Sequence, residues 1–155
     1  MAISPYIARL RERIGNDLLL LPSVTVLCED EGGRLLLVRH SDSDRWGTIG
    51  GLVEPDESPR RAAIREAKEE AGVDVELTEI LDVLGGPEYR IRYPNGDAAA
   101  YVTTVFGARI TSGDPAPDGD ETTEVRWFDD EALARADLGP FARAQLAALG
   151  RLPPR

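Results

Sequence analysis

The chain has 155 residues, 42% of them hydrophobic and 30% charged, enough for one substantial core and too apolar for a disordered segment. Its formal net charge of −10 weighs against general nucleic-acid binding, which needs a surplus of Lys and Arg to meet phosphates. One cysteine, Cys28, and one histidine, His40, exclude an internal disulfide and the usual His/Cys zinc site.

The first stretch, "MAISPYIARLRERIG", carries arginines throughout and no long apolar run. It therefore reads as a helix over 3–14 rather than a leader or membrane span, and the cytoplasm is the expected location. Ile3, Ile7, Leu10 and Ile14 share one stripe, which would pack on its own domain or on a second subunit as a homodimer. Apolar and β-branched residues predict a strand at 24–28, with Cys28 a small buried hydrophobe. "DEGG" is turn chemistry and "RLLLVRH" a second strand, so the pair predicts a hairpin. His40 reads as a surface residue, and "SDSDRWGTIGG" as a loop.

Ser58 and Pro59 open a helix and Gly72 closes it, with Ala63, Ala67, Ala71 and Ile64 forming a narrow face against a sheet. "VDVELTEILDVLGG" and "EYRIRYPNGDAAAYVTTVFGARI" predict strands, the second folded back at Asn95-Gly96. "TSGDPAPDGDE" is a polar loop, "VRWF" a short strand, and "DDEALARAD" and "GPFARAQLAALG" are helices. Helices intermixed with mostly antiparallel strands make the fold class α+β, one domain over 1–155.

The helix after Ser58 places Glu66, Glu69 and Glu70 at i, i+3 and i+4, on one face. Such acids repel one another unless a cation neutralises them, and oxygen-only ligands suit Mg²⁺ or Mn²⁺. From Gly51 five residues lead to Glu57, and seven more to "REAKEEAGV". This resembles the Nudix box, Gly-x5-Glu-x7-Arg-Glu-U-x-Glu-Glu-x-Gly-U with U aliphatic, over residues 51–73. A chance match at every fixed position is on the order of 10⁻⁸ per window. The likeness extends over roughly 23–133.

The resemblance implies a mixed sheet sandwiched between helices, here with an extra N-terminal helix (1–15). It further implies a Mg²⁺- or Mn²⁺-dependent diphosphatase acting on a small nucleoside diphosphate derivative. Glu66, Glu69 and Glu70 would be the metal ligands, Glu70 also a catalytic residue, and Arg65 would hold the geometry by pairing with Glu57. Gly51 would supply a tight turn beside the substrate. A further carboxylate, as base or ligand, would come from Glu121, with Asp118, Asp120 and Glu124 as competitors. Trp46, Tyr89, Tyr93 and Phe106 are the candidates for stacking a base, each also readable as core or strand filling. Arg39, Arg45, Arg90 and Arg92 are the candidates for meeting phosphates or a ribose-linked group, otherwise serving solubility as exposed charges. ADP-ribose or another nucleotide sugar leads as substrate. The alternatives are a nucleoside triphosphate pyrophosphohydrolase that clears damaged nucleotides, and an inert Nudix-fold binding module, which the intact "REAKEE" disfavours.

Two departures stand out. Thr48-Ile49 occupies the place of a common Leu-Pro pair, so loop rigidity loses its proline. Asp56 stands where glycine is frequent, a position that would tolerate a left-handed backbone.

Overall fold

The computed structural model describes residues 3–153, in the order α1 (Pro5–Ile14), β1 (Leu19–Cys28), β2 (Leu35–His40), β3 (Trp46–Gly47), β4 (Ile49–Leu52), α2 (Pro59–Ala71), β5 (Asp74–Leu84), β6 (Arg90–Arg92), β7 (Ala98–Ser112), β8 (Thr122–Phe128), α3 (Asp130–Arg135) and α4 (Pro140–Ala148). The strands form two sheets. One runs β4-β1-β7-β5 with β6 added on β7, and the other runs β3-β2-β8. Only β1 and β7 pair in parallel.

The expected hairpin of β1 and β2 does not form. A single bridge, Glu29 to Leu35, joins their ends. Both edges of β1 are already taken, by β4 and by β7, so β2 finds its partners in the second sheet. The loop expected at 41–51 also contains two short strands, β3 and β4, because Trp46 and Ile49 are buried. The turn at Asn95-Gly96 does join two antiparallel strands, β6 and β7, with Gly96 at φ 94°.

Helix α2 begins as its sequence demands. The Ser58 hydroxyl accepts from the Arg61 amide at 3.2 Å, and Gly72 takes the left-handed conformation. Ala62, Ala63, Ala67 and Ala71 are wholly buried against Val24, Val26, Leu36, Val38, Ile49 and Phe106. Small side chains let this helix lie close to the sheets. Ile64 is not on that face but largely exposed, and Ala62 takes its place.

A second apolar cluster joins Leu27, Leu35, Leu37, Trp46 and Phe128 to Leu133 of α3 and Leu146 of α4. The alternation of β2, with Leu36 and Val38 in one cluster and Leu35 and Leu37 in the other, places the strand between two helical layers. Helix α1 buries no residue fully. Ile7, Leu10 and Ile14 are half-buried, and Arg11 ties the helix to its own domain by donating to the Ala98 carbonyl at 2.8 Å. Among the described residues no helix is long and apolar enough to cross a membrane.

Candidate active site

Arg65 is the hub of the acidic helix. Its Nε and Nη2 donate to the two oxygens of Glu57 at 2.8 and 2.7 Å, the bidentate pairing that gives an arginine both strength and direction. The same guanidinium reaches Glu66 at 2.9 Å, Glu69 at 3.1 Å and the Leu52 carbonyl at 3.1 Å. One planar cation thus fixes the approach to the helix, two of its acids and the end of β4. The hydrogen bonds from Arg65 hold Glu57 below the usual carboxylate range.

The three helix acids occupy different environments. Glu69 is largely exposed and turned to Arg65. Glu66 is 8% exposed, and burial, aided by repulsion from Glu69 and Glu121, pushes its pKa up to about 7 against the opposing pull of Arg65. Glu70 is 2% exposed and accepts from the Gly50 amide at 2.8 Å. Burial pushes its pKa well above the ordinary value, and the charges of Glu66, Glu121 and Asp118 add to the effect.

Gly51 makes room for a carboxylate and Gly50 for the neighbouring strand. Gly51 does not make a tight turn; it lies in β4 opposite Val24. A Cβ there would fall 2.2 Å from Oε1 of Glu66, so the missing side chain is the space that the carboxylate occupies. A Cβ on Gly50 would fall 2.2 Å from the Val24 carbonyl oxygen. Asp56 raises no backbone question, because Asp44 is the only described non-glycine residue with positive φ.

The loop before β8 is pinned to the end of α2. The Ala116 amide donates to the Ala71 carbonyl and the Thr122 hydroxyl to the Glu70 carbonyl, both at 2.9 Å. This brings the charge of Glu121 to bear on Glu66, Glu70 and His40. Two of its three competitors are otherwise engaged. Asp118 accepts from the amides of Asp120 and Thr122, and Glu124 is bonded by Arg39 at 3.0 Å.

His40 is a residue that the sequence reading missed. It is not a free surface group: Nδ1 lies 3.9 Å from Oε2 of Glu70, and the ring covers Gly47, where a Cβ would sit 2.6 Å away. Burial lowers its pKa, although Asp42 and Glu121 oppose the shift. Its position at the end of β2, beside β3, could not be read from neighbours in sequence.

Several expected substrate contacts are placed elsewhere. Trp46 is 7% exposed and packed edge-on against Phe128, with the Arg126 guanidinium over its ring. That leaves no open face for a base, so its role is core packing. Phe106 and Tyr89 are likewise buried, and the Tyr93 hydroxyl bonds that of Tyr101. Arg39 is paired with Asp44 and Glu124. Arg90 is exposed on β6 opposite Ala100. Gly51 lies level with Val24, and Val24 with Thr104, so Arg90 stands about 13 Å further along the sheet.

Among the described residues no three acids, histidines or cysteines converge as a ready-made metal cage. The donor set nevertheless suits a hard divalent cation. It is made of oxygen alone, and its two buried carboxylates are destabilised as anions by burial and by neighbouring acids, which a cation would reverse.

Residues 19–149 match the NUDIX domain. A MutT-like protein of Streptomyces ambofaciens is 32% identical over 127 residues, covering 82% of this chain and 75% of that protein. An NAD-capped RNA hydrolase, NudC of Stutzerimonas stutzeri (strain A1501), is 32% identical over 114 residues, 70% of this chain but only 36% of the relative. The solved structure of a MutT NUDIX hydrolase from Burkholderia pseudomallei superposes with a TM-score of 0.66 at 27% identity, over 87% of this chain and 99% of that one.

Proposed function

Because the chain belongs to the Nudix family, we propose that it is a Mg²⁺-dependent hydrolase of the pyrophosphate linkage in a nucleoside diphosphate derivative, with ADP-ribose or another nucleotide sugar as the leading substrate class. The observation that carries this reading is the Arg65 hub, which bonds Glu57, Glu66 and Glu69 while Glu70 is buried behind Gly50. Divalent-cation enzymes need carboxylates held in this way by outer hydrogen bonds.

Glu66, Glu69 and Glu70 would hold the ion, Mg²⁺ or Mn²⁺. Once bound, it would polarise the phosphate oxygens and make water a stronger nucleophile. Glu121, on a loop fastened to the end of α2, would take the proton as the water oxygen bonds to phosphorus. The bridging P–O bond breaks and its electron pair leaves with the departing phosphate. The name of the Stutzerimonas relative supports a linked diphosphate as substrate, since NAD is itself a nucleoside diphosphate derivative.

A product screen with Mg²⁺ across nucleotide sugars, dinucleotides and nucleoside triphosphates tests the proposal. Cleavage of a nucleotide sugar to two phosphomonoesters is the expected result. Pyrophosphate released from triphosphates alone would reassign the substrate class, and inertness toward every compound would indicate a binding module. Glu121→Gln should lower kcat by roughly a hundredfold if Glu121 is the base.

A further inference from the structure

Thr48 stands between β3 and β4, immediately before Ile49 and the two glycines of the site. A side chain distant in sequence holds this segment. The Thr48 hydroxyl donates to Oε1 of Gln145 on α4 at 2.7 Å. Nε2 of Gln145 donates to the Thr25 hydroxyl at 2.6 Å, and that hydroxyl lies 3.0 Å from the Thr103 hydroxyl. These four side chains are 8% exposed or less, and Gln145 is wholly buried. Buried neutral polar groups cost stability unless each is bonded. Among the described residues no buried side-chain polar atom lacks a partner.

The network ends at the site. Thr25, which takes the Gln145 amide, is the register partner of Gly50, and the Gly50 amide donates to Glu70. The other end of the segment is strapped to the same C-terminal region. The Trp46 amide donates to the Asp137 carbonyl at 3.0 Å, and the Gly139 amide to the Trp46 carbonyl at 2.9 Å.

We propose that Thr48 and Gln145 are positioning residues for Glu70. Their hydrogen bond locks the 46–50 segment to the C-terminal helix, and the lock keeps the Gly50 amide aimed at the Glu70 carboxylate. Tertiary hydrogen bonds thus supply the rigidity that a proline ring would otherwise give. The consequence for turnover rests on the hydrolase reading above; the consequence for the Gly50 amide does not.

Thr48→Val keeps the shape of the side chain and removes its donor, and Gln145→Met is a second variant that keeps length without polarity. Four quantities are measured on the full chain: Gly50 amide exchange by NMR, Mn²⁺ affinity by electron paramagnetic resonance, steady-state hydrolysis and Tm. Both variants should lose roughly tenfold of the Gly50 protection and roughly tenfold in Mn²⁺ affinity. Turnover should show a ten- to hundredfold fall in kcat with KM nearly unchanged, and Thr48→Ser should restore all of these. A purely structural network would lower Tm while leaving Gly50 exchange and Mn²⁺ affinity as in the wild type, and that result overturns the proposal. A wild-type protein inactive on every substrate would overturn the hydrolase reading, and Gly50 exchange alone would then decide this one.

Discussion

The Gly50–Gly51 segment is held from two sides by opposite kinds of chemistry. On the α2 side a single guanidinium gathers Glu57, Glu66 and Glu69. On the α4 side four neutral side chains, Thr48, Gln145, Thr25 and Thr103, form a buried network without a formal charge. The charged side carries carboxylates whose repulsion a cation would relieve, which suits it to a ligand. The neutral side is already satisfied and serves as a fixed wall. A charge left there unpaired would be far costlier than a bonded amide.

Substitutions on the charged side should act on activity directly, whereas those on the neutral side should reach it only through the Gly50 amide and lower stability as well. The largest expected effect is that of Glu69→Gln, an exposed position whose change should cost little stability. If Glu69 is a metal ligand, as proposed, Mg²⁺-dependent turnover should fall on the order of 10³-fold, read from initial rates beside an unchanged Tm. Unaltered turnover would break the division between the two sides.

Next comes Trp46→Ala. With Trp46 buried in the apolar cluster of Phe128 and Leu146, the substitution should destabilise the fold by about 3–5 kcal/mol, measured by urea unfolding. The KM of the folded fraction should stay near wild type; a large rise would return the ring to the substrate. Arg65→Lys keeps the charge but loses the planar fork to Glu57, and should weaken Mn²⁺ binding roughly tenfold, measurable by titration calorimetry.

The smallest effect is a pH slope. Glu66 has a folded pKa of about 7 against an ordinary 4.5, so the folded state binds its proton more tightly than the unfolded state does. The stability this contributes is complete below pH 4.5 and is lost as pH rises through 7. In chelator, Tm should therefore fall between those values, and Glu66→Gln should flatten that part of the slope. Equal slopes in the two proteins would show that Glu66 does not carry the effect.

The two sides also differ in how far they could be read beforehand. The cap at Ser58 and the termination at Gly72 follow from spacings of a few residues, the pairing of Arg65 with Glu57 follows from the family resemblance, and the structure contains them all. The alanine face was legible for the same reason, except that Ile64 falls outside it. The choice between stacking and core filling at Trp46, and the half-burial of His40, were not legible, because burial depends on what folds over a residue. The hairpin of β1 and β2 was a sound local inference that lost to competition from β4 and β7.

The sequence by itself determined the α+β class, the acidic helix with its caps and the family pattern, since each is written in contacts along one helix or across one turn. Only the tertiary structure decided which acids are buried, that His40 faces Glu70, and that Thr48 meets Gln145 across 97 positions. Hydrogen bonds between distant residues leave no periodicity in a chain. They exist only once the sheets and helices have closed around them.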